Sequence, residues 1–173
     1  MIGMVLNSET IFNTGDTVVY PKHGVGIIQN IVENEFRDEK FLSYAIKIKA
    51  SAIEVFVPLK GAENLGLRRL KENHDLDKSL SILSKKEEVE ELLDAKSWKE
   101  RKKILDDLFK SGNPEDLAKI VKYLYFKNKQ KDLPNSERKI YDASLKFLLL
   151  ELSEVKGISE EEADHLVAQL LIQ

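Results

Sequence analysis

Gly15-Asp16-Thr17-Val18-Val19-Tyr20-Pro21-Lys22-His23-Gly24-Val25-Gly26 joins an apolar β-type run to a turn crowded with residues that fix backbone geometry. Thr17 to Tyr20 are β-branched or aromatic, Pro21 sets φ and ends strand pairing, and Gly24 and Gly26 allow conformations that a Cβ would forbid. The stretch predicts a tight corner between two strands.

Working outward, the pattern from Phe12 to about Pro58 has period two. Leu42, Tyr44, Ile46 and Ile48 fall on one face and Ser43, Ala45, Lys47 and Lys49 on the other, which predicts a half-buried strand. Ile53, Val55 and Val57 alternate with Glu54 and Phe56 in the same way, Val25 to Val32 is more continuously apolar, and Asn34 to Lys40 reads as an exposed polar turn. Three or four such strands around so small a core imply a curled sheet or a small SH3/Tudor-like β-barrel, because flat sheets of this size are marginal. Phe56 is placed by alternation on the outer face, where it either packs under the helical half or stands exposed for a partner. Val57-Pro58 ends this strand, and an unprotected edge there is able to accept a strand from another protein.

After Gly61 the periodicity becomes helical, with Gly66 and Asn73-His74 marking breaks. The expectation is an α+β chain: a β domain over 1–66 and a compact all-helical domain over 67–173. Leu76, Leu80 and Leu83 form a first short stripe, followed by the acidic segment Glu87 to Asp94 with Leu92 and Leu93. Ser97 and Glu100 have capping-box spacing ahead of Ile104, Leu105, Leu108 and Phe109, and Gly112 ends that helix. Asn113 as N-cap with Pro114 behind it opens the next, where Leu117, Ile120, Val121, Leu124 and Tyr125 recur at helical spacing. A cap at Asn135 or Ser136 predicts a long helix through Leu152, and Ser159 with Glu162 caps a last one carrying Ala163, Leu166, Val167 and Leu170. Loops this short predict antiparallel neighbours in a bundle.

With 27 Lys+Arg against 30 Asp+Glu in 173 residues, the net charge of −3 supplies no global positive field for nucleic acid, so any such contact must be local. The absence of cysteine excludes disulfides, thiolate catalysis and most zinc sites. Met1 to Thr10 lacks the basic and apolar regions of a signal peptide, and no window approaches the roughly 18 apolar residues of a membrane span, so a soluble cytoplasmic protein is expected. His23, His74 and His165 lie far apart and no Walker, GxSxG or HExxH pattern occurs, so neither catalytic nor metal-binding residues nor a cofactor are expected, and the chain is read as no enzyme.

Trp98, the one tryptophan, stands among Lys96, Lys99, Arg101, Lys102 and Lys103, with Glu100 the lone acid between Lys96 and Lys103. Its helical phase lies near Leu105, which permits an aromatic packed at the end of the bundle, yet Arg101 and Lys102 interrupt the apolar stripe between them. A tryptophan in a basic collar suits nucleic acid, since cations neutralise phosphates while the ring lies against or wedges between bases. Lys119, Lys122, Lys127, Lys129 and Lys131 form a second basic run, read either as an extension of that surface or as a solvated helix face.

The Val18 to Gly24 run, Val57-Pro58, Gly66-Leu67-Arg68, Ser97-Trp98 with its basic run, Ser111-Gly112-Asn113 and the Leu117 to Tyr125 helix together resemble the CarD/CdnL family of bacterial transcription regulators. The amino-terminal domain of that family is shared with the transcription-repair coupling factor. The resemblance runs from Phe12 to the final helix. It implies a Tudor-like RNA polymerase-interacting domain over 1–66, docking on the polymerase β subunit by strand addition, and a helical DNA-contacting domain over 67–173. On this chain it implies a polymerase contact through Ile53, Glu54, Val55, Phe56, Val57 and Pro58. It also implies promoter DNA contact through Lys96, Trp98, Lys99, Arg101, Lys102 and Lys103, with Trp98 wedged into the minor groove at the upstream edge of the transcription bubble. Some relatives carry a basic residue where this chain has Phe56, which implies a more apolar polymerase contact or one made by other side chains. A monomer associated with the nucleoid through the polymerase is expected. The competing reading is an adaptor that binds proteins with both halves and does not touch DNA.

Overall fold

The computed structural model describes residues 10–85, 95 and 97–172. The acidic segment Glu87 to Asp94, with Leu92 and Leu93, and also Lys96, lie outside the described residues. The chain divides into two units, Met1–Leu70 and Lys71–Gln173.

Among the described residues the first unit is an antiparallel sheet of five strands: β1 (Thr17–Tyr20), β2 (Gly24–Phe36), β3 (Glu39–Ile48), β4 (Glu54–Pro58) and β5 (Arg68–Arg69), in the spatial order β4-β3-β2-β1-β5. The corner after β1 forms as its residues require: Tyr20 pairs with Gly24, the His23 N–H donates to the Tyr20 carbonyl at 3.0 Å, and Gly24 sits at φ +82°. Gly26 serves differently. It needs space rather than a left-handed backbone, because a Cβ there would stand 2.6 Å from Ile46 Cγ2 and 3.0 Å from the Lys47 carbonyl oxygen. Arg37 and Asp38, at φ +52° and +64°, turn β2 into β3, so the reversal is two residues long and the rest of the expected polar turn is strand.

Phe12, Val18, Ile28, Tyr44, Ile46, Ile48, Val57, Leu59, Ala62 and Leu67 form the core beneath one face. The opposite face is less open than alternation predicts. Ser43 and Ala45 are buried there, Ser43 between Val32 and Pro58 of the neighbouring strands and Ala45 beside Phe56. The sheet is open in its hydrogen bonding, with β4 and β5 as edges. β5, two arginines without apolar alternation, adds a strand that periodicity does not announce.

The second unit contains, among the described residues, helices α1 (Asn73–Ser84), α2 (Trp98–Ser111), α3 (Pro114–Gln130), α4 (Asn135–Lys156) and α5 (Glu160–Leu171). Their shared core includes Leu76, Leu83, Leu105, Leu117, Ile120, Leu124, Leu148, Leu152 and Val167. Ser97 Oγ accepts from the Glu100 N–H at 3.2 Å, Asn113 Oδ1 from the Glu115 N–H at 3.3 Å, and Ser159 Oγ from the Glu162 N–H at 3.0 Å. Gly112, at φ +65°, closes α2. The long helix differs from expectation at its start: Pro134 precedes it without a side-chain cap, and Asn135 and Ser136 lie inside its first turn. None of the helices among the described residues is long and apolar enough to cross a membrane.

Candidate functional site

Two surfaces carry the residues singled out by the sequence, one in each unit. In the first, β4 is hydrogen-bonded to β3 on one side, through pairs such as Ala45↔Phe56 and Tyr44↔Val57, and its other edge has no strand partner among the described residues. Val57 points into the core, Val55 is half-buried, and Ile53, Glu54 and Phe56 are exposed. Phe56 is 51% exposed. Among the described residues, an apolar side chain thus flanks a row of backbone donors and acceptors that no strand pairs, the chemistry that strand addition uses.

In the second unit, Trp98 is the first residue of α2 and 62% exposed, whereas Leu105 is buried, so the apolar stripe stops before it reaches the indole. Lys99, Lys102 and Lys103 are exposed with it, and Lys102, four residues on, shares the face of Trp98. The amino-terminal end of a helix adds a positive partial charge to these cations. Lys96 lies outside the described residues.

Arg101 is held differently. Its Nε donates to Glu137 Oε1 at 3.2 Å, while Lys127 Nζ donates to Glu137 Oε2 at 2.6 Å. The carboxylate, 12% exposed, therefore ties the first turns of α2 and α4 to the last turn of α3. Tyr123 lies against the same group. Burial pushes its hydroxyl above its ordinary range, while Arg101, in Coulombic and hydrogen-bonding contact, pulls the other way. Arg138 Nη2 donates to Asn128 Oδ1 at 2.8 Å and joins α3 to α4 a second time.

The second basic run does not form one face. Lys122 is 2% exposed and donates through Nζ to the Ile82 carbonyl at 2.8 Å, near the end of α1 where a cation complements the helix dipole. Lys119 lies 3.8 Å from Asp116, Lys127 is engaged with Glu137, and Lys129 sits 4.7 Å above the Tyr125 ring. Lys129 and Lys131 are exposed. The role of Glu137 is missed by sequence reading, because its partner Arg101 is 36 positions away. Among the described residues no group of three or more His, Cys, Asp or Glu is placed to hold a metal ion.

Comparison with known proteins places both units. Residues 12–71 match the CarD-like/TRCF RID domain and residues 78–168 match the CarD C-terminal domain. The chain is 36% identical over 152 residues, covering 88% of its length and 97% of the relative, to YdeB of Bacillus subtilis (strain 168), a protein named as a candidate transcription factor.

Proposed function

The chain belongs to the CarD family of transcription factors, pairing a domain of the RNA polymerase-interacting kind with a CarD C-terminal domain, and from that premise we propose that it stabilises the promoter open complex through Trp98. In this reading the edge of β4, with Ile53, Glu54, Val55, Phe56, Val57 and Pro58, adds to a strand of the polymerase β subunit. The docked protein then holds the helical unit at high effective concentration beside promoter DNA. Lys99, Lys102 and Lys103 neutralise phosphates, and the indole enters the minor groove at the upstream edge of the bubble and hinders reannealing.

The observation that carries the reading is a lone tryptophan 62% exposed at the first turn of a helix, beside exposed lysines, where an aromatic of purely structural use would be covered. Aromatic stacking on a base is worth about 1–3 kcal/mol. A wedge acting only on the open state therefore shifts the balance of open to closed promoter by roughly 5- to 150-fold at most. The net charge of −3 is no obstacle, because the polymerase anchor supplies the proximity that electrostatics does not.

The test is Trp98→Ala in a promoter-melting assay with polymerase. The expected result is an open-complex lifetime shortened within that range, with polymerase co-purification and thermal melting of the protein unchanged. An unaltered lifetime per folded molecule would overturn the reading and favour the adaptor alternative.

A further inference from the structure

The first turn of α2 presents most of its side chains to solvent. Across residues 98–103 the side chains of Trp98, Lys99, Glu100, Lys102 and Lys103 are all exposed, and Leu105 is the one residue buried along the whole of α2. Arg101 is the exception in that turn. It is 24% exposed, it meets Glu137 through a charge-assisted hydrogen bond, and it contacts the buried Tyr123. Glu137 is in turn fixed from its other oxygen by Lys127.

We infer that Arg101 and Glu137 are positioning residues for Trp98: Glu137 clamps the turn that carries the indole onto α3 and α4, and Arg101 serves that clamp rather than a DNA phosphate. Three features point this way. Both oxygens of Glu137 are engaged by cations from different helices, so the group acts as a junction and not as a surface ion pair. Arg101 stands one helical turn from Trp98, so fixing one fixes the backbone that directs the other. Arg101 also directs its Nε–H inward to a carboxylate 12% exposed, which lowers the charge it offers to an outside anion. A half-free helix end leaves a wedge disordered before binding, and that disorder is lost on insertion; a clamped end carries less of this cost.

The effect on promoter melting rests on the proposed role of Trp98, but the mechanical claim does not. Because Trp98 is the sole tryptophan, its fluorescence reports this turn alone. In the full chain, Glu137→Gln is expected to increase the amplitude of fast indole motion in time-resolved anisotropy. It should also shorten the open-complex lifetime by roughly 3- to 10-fold while leaving polymerase capture intact. Arg101→Lys, which keeps the charge but gives up the planar Nε–H, should loosen the indole in the same sense without unfolding the bundle. Arg101→Gln should leave the salt dependence of affinity for a bubble-containing promoter fragment unchanged. A phosphate ligand would instead lower the slope of log K against log salt by about 0.9.

Anisotropy like that of wild type in both Glu137→Gln and Arg101→Lys overturns the clamp. A slope reduced by about that amount in Arg101→Gln returns Arg101 to the DNA contact set. If Trp98→Ala leaves the open-complex lifetime unaltered while Glu137→Gln still frees the indole, the wedge reading fails and the clamp stands.

Discussion

At Gly26 the demand is for room, set by Ile46 Cγ2 and the backbone of Lys47 across the β2–β3 pairing. Gly26→Ala should therefore destabilise the first unit by about 1–3 kcal/mol, the usual cost of overpacking a close-fitted core. Urea unfolding measures it, and a loss below a few tenths would mean that the strands separate freely at this point. Two tyrosines make a second prediction. Burial raises the hydroxyl pKa of both Tyr123 and Tyr141 above 10.0. The native state then favours the protonated form, so this contribution to stability is complete below pH 10.0 and declines as pH rises through the raised native values. Ultraviolet titration of tyrosinate, compared between wild type, Tyr123→Phe and Tyr141→Phe, should show that each substitution removes a component ionising above pH 10.0, and the melting temperature of the helical unit should fall in the same pH range. Sequence reading fails at this scale where a group's surroundings are assembled from distant positions. Lys122 reads as one more lysine of a basic run, yet it is sealed against the Ile82 carbonyl 40 positions away.

Helices and strands behave more locally. The caps at Ser97, Asn113 and Ser159 were legible because each hydroxyl or amide meets an N–H two or three residues on. The start of α4 was not, since Pro134 and its fixed φ take the place of a hydrogen-bonding side chain. Strands β3 and β4 show themselves by alternation and β1 and β2 by β-branched and apolar runs, whereas β5 has no such pattern and pairs Arg68 and Arg69 with the edge of β1. That leaves β4 as the longer of the two edges, five residues against two. If it is the polymerase-binding element, Phe56→Glu should reduce polymerase capture by about tenfold, the equivalent of 1.4 kcal/mol, with far-ultraviolet circular dichroism unchanged because the ring is half in solvent. Undiminished capture would move the contact away from this strand.

At the scale of the whole molecule, the described residues form two cores, one under the sheet and one among the helices, and among them the two clusters share no residue. Fragments Met1–Leu70 and Lys71–Gln173 should accordingly each fold and melt cooperatively when made separately, the smaller with the narrower margin because a short chain buries proportionally less surface. Calorimetry of the two fragments beside the full chain checks this, and a fragment without a transition would show that its core is incomplete alone. Periodicity turns helical after Gly61, yet Leu67, Arg68 and Arg69 belong with the sheet that precedes them. Apolar spacing records which residues are buried, not which side of a junction buries them. The Arg37–Asp38 reversal has a practical corollary. Its two residues project beyond the paired strands and hold left-handed backbone angles that a longer loop would relax. Each doubling of loop length costs only about 0.6 kcal/mol in closure entropy, so an epitope tag or small reporter can be spliced in there, giving a handle on the protein that leaves the indole and β4 untouched.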